Sequence, residues 1–416
     1  MTTYIIAVSI AIPIFISLII IESLIAYKNK LIINKSEDTI SSLSSGITNT
    51  IKDATKFGVL IISYNYLYEH IAIINAIPIW IAVILAFLIQ DFAGYWIHRL
   101  NHRVNIFWNR HIIHHSSEEF NLSCALRQSI SNNLKFGAIF LFPAAILGIP
   151  PYLFAIISPV HLFMQFWYHT QLIDKMGWLE KILVTPSHHR VHHAINPEYI
   201  DKNYSQIFII WDKLFGTFQL ENKSITPIYG VLHPVKTWNP IIINFKHLWL
   251  MIKDAYYTHN FIDKVKIWFM PTGWRPKDVK YNYPIKIINN PFTYKKYNPK
   301  NLSSKLYWSW FQLLISGICM FVIFYSIKFM PLFIISLFII ILFIHIMSYT
   351  FLLDNNNLAI SCELVKILTS IFLLYIIYNY EFSLPYFIYM IIFVYCIISL
   401  LVTIYFSKNK LHNQLI

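Results

Sequence analysis

Histidines gather in two short windows of this 416-residue chain. Nine of the 17 lie within residues 98–115 and 188–193, 24 residues in which the overall composition would place about one. The first window contains HxxxH at 98–102 and HxxHH at 111–115, and the second reads HHRVHH. Residues three or four apart share a helix face, so their imidazoles can converge on one ion. Imidazole suits Fe, Zn, Cu or Ni, and eight or more rings exceed the ligands of one typical zinc site. The pattern therefore predicts a centre for two metal ions.

Isolated histidines favour a different interpretation. A single ring near the end of an apolar run is commonly interfacial or bonded to a backbone carbonyl. That interpretation applies to His70, His161, His345 and His412.

The elements that carry the clusters belong to a very apolar chain. Hydrophobic residues make up 56%, charged residues only 13%, and the mean hydropathy is +0.52, which excludes a disordered chain and an ordinary soluble enzyme. The net charge of +13 fits cytosolic loops of a membrane protein better than a nucleic-acid partner. The four cysteines lie far apart and support neither a disulfide framework nor a CxxC zinc site.

Apolar runs predict the membrane organisation of the first half. Residues 4–27 form an anchor whose N-terminus is outside, followed by a flexible cytosolic loop at 28–56. Residues 57–97 would be about 60 Å long as one helix, so two passes are expected, with a break near Ala76 to Pro78. Residues 136–168 predict a compact or re-entrant hairpin.

A polar, aromatic cap is expected at 186–305, and four further spans follow at 306–327, 329–353, 358–380 and 382–406. Glu363 and Lys366 weaken the third of these spans. The predicted fold is all-α: a polytopic integral membrane protein whose transmembrane helices are capped by a histidine-rich cytosolic di-metal site. The predicted divisions are an N-terminal anchor and loop (1–54), a catalytic domain (55–300) and a C-terminal transmembrane helical region (301–416).

The order HxxxH, HxxHH, HxxHH at cytosolic helix ends resembles the fatty acid hydroxylase (sterol desaturase) superfamily. Eight positions match its histidine pattern: His98, His102, His111, His114, His115, His189, His192 and His193. Longer strings at 95–102, 114–118 and 185–193 resemble the ether-lipid branch of that superfamily, and the resemblance covers about residues 55–290. One departure is Ser205, where glycine is expected after Asn-Tyr.

The resemblance implies a non-haem site for two Fe ions in a membrane oxygenase. It also implies a ninth ligand, His169, because members can recruit a histidine just before the last cluster. Gln165 occupies a position where some relatives have another histidine, and His188 adjoins the matched triad, where it could substitute for a ligand or orient one.

The resemblance further implies a monooxygenase that uses O2 to hydroxylate a lipid at the carbon beside an ether oxygen. Its implied reductant is tetrahydrobiopterin or a reduced electron-transfer protein, and the chain has no Gly-rich dinucleotide fingerprint. Expected partners are a lipid substrate in the bilayer and an electron donor, without nucleic acid. One alternative is a fatty acyl or sterol-like hydroxylase or desaturase with the same site, and another is a histidine-rich metal-binding or transport protein.

Other polar residues have supporting roles in this hypothesis. Asp91, two helical turns before His98, could orient a ligand ring or could simply face solvent. Glu118 is a candidate for a carboxylate that supports a ligand ring without binding the metal, whereas Glu119 is expected to be solvated. Arg127 could anchor a lipid phosphate or pair with one of these acids. The remaining candidates are Trp167 for substrate binding and Asn196 for support or for shaping the cap, and the cap is also expected to depend on Asp201, Asn203 and Trp211.

Overall fold

The computed structural model describes residues 2–56, 58–74, 77–379 and 385–409, and this part of the chain is mostly helical. Its α-helices are α1 (Thr2–Lys28), α2 (Ser36–Ala54), α3 (Tyr64–Ile71), α4 (Ile79–Arg103), α5 (Asn105–Trp108), α6 (Ile112–His115), α7 (Phe142–Ile146), α8 (Pro151–Phe163), α9 (Pro186–His193), α10 (Ile210–Leu214), α11 (Pro240–Tyr257), α12 (Phe261–Lys266), α13 (Lys277–Asn282), α14 (Ser303–Ser326), α15 (Leu332–Leu353), α16 (Leu358–Asn379) and α17 (Tyr386–Lys408). Short 3-10 helices lie at Leu122–Leu126, Gly137–Leu141, Gly177–Lys181 and Pro291–Thr293. Two short strands, β1 (Val59–Leu60) and β2 (Leu134–Lys135), pair in parallel.

Six of the described helices are long and apolar enough to cross a membrane: α1, α4, α14, α15, α16 and α17. The N-terminal anchor and the four C-terminal spans are therefore confirmed as helices of spanning length. The protein is a multi-pass integral membrane protein with an all-α architecture. The side of the membrane on which the cap lies and the divisions at residues 54 and 300 stay predictions.

The prediction of two helical passes within residues 57–97 is wrong. Among the described residues of this segment only α4 has spanning length, and it begins directly after Pro78. The preceding helix, α3, has eight residues, none of them buried, and the Ser63 side chain caps its first turn. Polar residues at 65, 69 and 70 interrupt the apolar run, which explains the short helix. Ala76, part of the predicted break, lies outside the described residues.

The apolar segment at 136–168 forms short helices, as its Gly-Ile-Pro-Pro interruption predicts. α7 and α8 pack against Ala82 and Ala86 of α4, whose small side chains allow close approach. Gly148 turns the chain between them with φ of 66°, and a Cβ there would lie 1.8 Å from the Ile74 carbonyl oxygen. That close approach requires glycine.

The expectation of a flexible loop at 28–56 is also wrong. Most of this segment is α2, and its serine and threonine side chains are largely buried. The Ser44 hydroxyl lies 2.6 Å from the Tyr349 hydroxyl, and the Ser45 hydroxyl donates to the Gln128 carbonyl. The composition of α2 is typical of a loop because its side chains are polar. They are nevertheless buried, because distant parts of the chain supply their hydrogen-bond partners.

The C-terminal helices enclose an ion pair. Lys366 Nζ lies 2.7 Å from Glu363 Oε2, and both side chains are buried. Glu363 also accepts from the Ser348 hydroxyl at 2.6 Å, and Lys366 donates to the Ser399 hydroxyl at 3.0 Å. The two charges that weakened the prediction of α16 as a span are thus paired within the bundle, as intramembrane charges must be.

Replacing only one member of this pair should destabilise the bundle. In Lys366→Met, Glu363 would be left buried without its cation, at a cost of about 3 to 5 kcal/mol, measurable as a lower melting temperature in detergent. The control is the double variant Glu363→Gln/Lys366→Met, which removes both charges and should recover most of the loss. Equal melting of Lys366→Met and the unaltered protein would contradict this account.

Candidate metal centre

Nine histidines form two groups in the folded chain. Within each group the candidate ligand nitrogens all lie within 4.8 Å of one another. The first group contains His98, His102, His111, His115 and His192, and the second contains His114, His169, His189 and His193. Among the residues that the structure describes, neither group includes a cysteine or a carboxylate. The structure therefore brings together all nine histidines that the sequence analysis named as ligands.

Four segments supply these rings. The last turns of α4 carry His98 and His102, and α6 with its preceding residue carries His111, His114 and His115. Helix α9, whose first residue is proline, carries His189, His192 and His193, and His169 follows α8. Neighbouring histidines within one segment can join different groups, because adjacent helical residues point in different directions.

Backbone carbonyls determine which ring nitrogen carries the hydrogen. Nδ1 of His98 lies 2.7 Å from the Tyr204 carbonyl, Nδ1 of His192 lies 3.0 Å from the Lys202 carbonyl, and Nδ1 of His169 lies 2.9 Å from the Gln165 carbonyl. A carbonyl oxygen only accepts, so Nδ1 is the donor in each pair. In a neutral ring this leaves Nε2 with a free lone pair directed into the group.

The Nε2 atoms of the first group lie close together. The separations are 2.9 Å from His98 to His111, 3.1 Å from His102 to His115 and 3.1 Å from His192 to His115. Two nitrogens bound to one ion at about 2.1 Å and at right angles would be about 3.0 Å apart. The observed spacing therefore fits rings that share an ion.

The second group has the same construction. His189 Nε2 lies 2.8 Å from His169 Nε2 and 3.0 Å from His193 Nε2, and His114 Nε2 lies 3.4 Å from that of His169. The all-imidazole donor set suits Fe, Zn, Cu or Ni. The residues present thus fit one ion in each group.

Burial keeps seven of the clustered histidine rings in their neutral form. Desolvation lowers the pKa of His111, His114, His115, His189, His192 and His193 well below 6.5, and neighbouring rings lower it further. The pKa of His169 falls to about 3 for the same reason. Neutral imidazole is the form that binds a metal.

A loop at residues 201–205 orients rings on two helices at once. Asp201 and Asn203 have φ of 59° and 55°, and between and after them the Lys202 and Tyr204 carbonyls face His192 and His98. The Ser205 hydroxyl accepts from the Asp212 backbone N–H at 3.2 Å, so this departure from the expected glycine takes part in the loop's hydrogen bonding. The sequence places this loop in the cap, but its contacts with His98 and His192 join residues distant in sequence and were not predicted.

Three hydrogen bonds separate Asp91 from His169 of the second group, through His161 and Gln165. It is fully buried, which excludes the solvent-facing alternative, and it accepts from His161 Nε2 at 2.9 Å and from Trp211 Nε1 at 2.9 Å. Its described hydrogen bonds reach none of the nine clustered histidines. The prediction for His161, an interfacial or carbonyl-bonded ring, is also wrong because this ring pairs with a buried acid.

Gln165 links that pair to His169. Its side-chain Nε2 lies 3.0 Å from His161 Nδ1, while its carbonyl accepts from His169. The Gln165 side chain therefore faces His161 and not the metal groups. His188 also lies outside both groups, with Nδ1 3.4 Å from the Thr185 hydroxyl.

Arg127 is buried and forms an ion pair within the protein, and its proposed role in binding a lipid phosphate stays a prediction. Its NH2 lies 2.9 Å from Asp38 Oδ2, and its NH1 donates to the Ser116 hydroxyl at 2.9 Å. The expected partners, Glu118 and Glu119, are bonded elsewhere: Glu118 accepts from the Tyr294 hydroxyl, and Glu119 pairs with Lys296. Glu119 is therefore ion-paired and not simply solvated. Sequence analysis missed Asp38 because it lies in the segment predicted to be a loop.

Asn196 and Trp167 lie outside the groups. The Asn196 side chain donates to the Thr226 carbonyl and accepts from the Ile228 backbone N–H, so it shapes the cap. Trp167 packs beside Tyr168, Val184 and Ile209, and its substrate role stays a prediction.

A cavity of about 250 Å³ adjoins the first group. Its lining includes four clustered histidines, together with apolar residues such as Trp108, Val231 and Trp274; the histidines are His102, His115, His192 and His193. Most of its lining comes from residues 230–287, which sequence analysis did not connect with the site.

Acid should destabilise the metal-free protein. Above pH 6.5 the clustered histidines are neutral in both the folded and the unfolded protein. Below pH 6.5 the histidines of the unfolded chain take up protons, whereas the folded rings, whose pKa values are lowered, do not. Each affected ring contributes up to roughly 1.4 kcal/mol per pH unit, so we expect the melting temperature to fall from pH 7 to pH 5. A His114→Gln/His189→Gln variant should show a shallower dependence. Melting that does not change over this range would contradict the neutral cluster.

Comparison with known proteins places the site in a family. The sequence profile of the fatty acid hydroxylase family matches residues 83–217, which contain all nine clustered histidines. No solved structure matches the chain.

Two similar proteins are alkylglycerol monooxygenases. The one from Homo sapiens is 41% identical over 273 residues, covering 64% of this chain and 59% of that protein. The one from Xenopus tropicalis is 39% identical over 290 residues, covering 69% and 64%. The chain thus spans less than two thirds of the length of either relative.

A third relative, the ornithine lipid hydroxylase OlsE of Rhizobium tropici, is 32% identical over 141 residues, covering 34% of this chain and 43% of that protein. Residues 83–217 therefore match the fatty acid hydroxylase family, and the chain as a whole is similar to alkylglycerol monooxygenases.

Proposed function

We propose that this protein is a membrane-bound, non-haem di-iron monooxygenase that cleaves the ether bond of alkylglycerol-type lipids. The observation that carries the proposal is the pair of all-histidine groups within the matched domain. The 41% identity to an alkylglycerol monooxygenase supports the choice of substrate.

Two iron ions would supply the activation of O2 needed to hydroxylate an unactivated carbon. His98, His102, His111, His115 and His192 would hold one ion, and His114, His169, His189 and His193 the other. The chain's own contribution is to keep these rings neutral, orient them through backbone carbonyls and bury them.

The reaction balances as a monooxygenation. The substrate carbon beside the ether oxygen gains a hydroxyl group from one atom of O2, and the other oxygen atom leaves as water after two electrons and two protons are supplied. The resulting hemiacetal collapses to a fatty aldehyde and glycerol. The two electrons come from a reduced pterin such as tetrahydrobiopterin, or from a reduced electron-transfer protein.

The position of the site suits a lipid substrate. His98 and His102 lie in the last turns of α4, so the reacting carbon near a lipid headgroup can reach them while the alkyl tail stays among the spanning helices. The adjoining cavity of about 250 Å³ is smaller than common pockets for drug-sized ligands, so it would hold one part of the substrate or a small co-substrate. Histidines gathered at one end of α4 argue against a metal-transport path, which would need ligands along the membrane.

Product analysis tests the substrate. Protein purified in detergent and shown to contain iron should convert an alkylglycerol, with a reduced pterin and ¹⁸O2, to a fatty aldehyde carrying one labelled oxygen. Reduction of the aldehyde to the alcohol as it forms would prevent exchange of the label with water. Formation of a hydroxy-acyl lipid or hydroxysterol from total lipids, with alkylglycerol unchanged, would contradict the ether-lipid proposal in favour of the acyl or sterol alternative.

Single substitutions test the two groups separately. His114→Ala and His192→Ala each remove one ring, and we expect turnover to fall at least about 100-fold with reduced iron content, while membrane insertion is preserved. His70→Ala is the matched control because this exposed ring on α3 belongs to neither group. Full turnover with full iron content in either group variant would refute the assignment of that ligand.

A further inference from the structure

Helix α11 exposes a stripe of large apolar side chains. Ile242, Phe245, Trp249, Ile252 and Tyr256 are exposed by 39% to 77%. Their spacing of three, four, three and four residues places them on one face of the helix. Helix α11 is not among the described helices that could span a membrane.

Helix α12 and the residues just after it also expose large apolar side chains. Phe261, Ile262 and Val265 are exposed by 76%, 59% and 52%, and Phe269, just past the helix, by 70%. We call the nine exposed residues of α11, α12 and position 269 the apolar face. Nine exposed large apolar side chains on two consecutive helices outside the described spans indicate an interaction surface, because single exposed apolar residues are common but groups of them are not.

Basic side chains accompany the apolar face. Lys253 and Lys266 are exposed, and Lys253 Nζ lies 5.5 Å from the centre of the Trp249 ring. The nearby acid Asp254 is turned inward, where Arg275 NH2 lies 2.7 Å from it. Lysine beside tryptophan, tyrosine and aliphatic residues is the composition of helices that lie in the interface of an anionic membrane.

Both ends of the α11–α12 segment make hydrogen bonds near the C-terminal ends of spanning helices. At the first end, the Asn239 side chain donates to the Met347 carbonyl, which lies six residues or about 9 Å before the end of α15. At the other end, the Asn105 N–H donates to the Met270 carbonyl at 3.0 Å. Asn105 follows the last residue of α4 by two positions. The segment is thus held close to the boundary of the hydrocarbon region.

We propose that the apolar face lies in the headgroup region of the bilayer that the spanning helices cross, with a preference for anionic lipids. The level of the segment favours a lipid surface over a soluble partner, and the two exposed lysines favour negatively charged headgroups. This binding surface is independent of the proposed reaction.

Depth-dependent quenching tests the proposal. A fluorophore attached to Trp249→Cys or Phe261→Cys, in protein reconstituted into lipid nanodiscs, should be quenched by lipids that carry a nitroxide near the headgroup. The control is Tyr281→Cys on α13, where the native side chain is 87% exposed and lies outside the apolar face. Cys319 and Cys362, which are partly exposed, are replaced by Ala in the parent chain to prevent background labelling.

We expect at least threefold stronger lipid quenching at positions 249 and 261 than at 281, with the reverse order for a water-soluble quencher. Equal quenching at all three positions would overturn the proposal. Protection of 249 and 261 from both quenchers would also overturn it, because a second copy or another protein would then cover the face.

Adding anionic lipid to the nanodiscs supplies a second measurement. Nanodiscs with a phosphatidylserine fraction should increase quenching at position 261 relative to pure phosphatidylcholine. The increase should be lost in a Lys253→Gln/Lys266→Gln background, whose exposed changes are not expected to disturb folding. An identical response with and without the two lysines would contradict the anionic preference.

Discussion

The structure depends on the burial of nine imidazoles whose Nε2 atoms face one another at about 3 Å. Lone pairs at this distance repel unless a proton or a cation lies between them. Burial opposes added protons, because it disfavours the charged ring. A cation is therefore the natural partner of the cluster, and without one the surrounding protein must hold the rings against their own repulsion.

The supports of the cluster come from polar groups inside the protein. Carbonyls of residues 202 and 204 hold rings from α9 and α4, so one loop with left-handed backbone conformations couples two helices. Arg127, which is paired with Asp38, donates to the hydroxyl of Ser116, and Ser116 directly follows His115. Such a network is costly to bury and is tolerated because its members satisfy one another.

Local patterns in the sequence were enough to find the histidines that cluster in the fold and most of the helices of spanning length. The helical spacing of histidines and the length of apolar runs are both properties of neighbouring residues, and both were reproduced by the fold. Pairs distant in sequence were not predictable: Arg127 and Asp38 are 89 residues apart, and Asp91 and His161 are 70 apart. The polar helix α2 was mistaken for a loop for the same reason, since its burial depends on partners elsewhere in the chain.

The C-terminal helices connect to the histidine groups through a short series of hydrogen bonds. Asp354, in the corner between α15 and α16, accepts from the Trp238 backbone N–H at 2.8 Å, from the Tyr297 hydroxyl at 3.1 Å and from the Thr237 hydroxyl. The Tyr297 backbone N–H in turn donates to Glu118 at 2.6 Å, three residues after His115. Helices outside the matched domain therefore brace the segment that carries three of the nine histidines. Because the Asp354 carboxylate is largely buried, its pKa is raised to about 6, and these donors compensate only part of the cost of its desolvation. The hydrogen bonds of Asp354 and Glu118 thus form a polar contact between the C-terminal helices and the cap, and this contact forms only when both parts are folded.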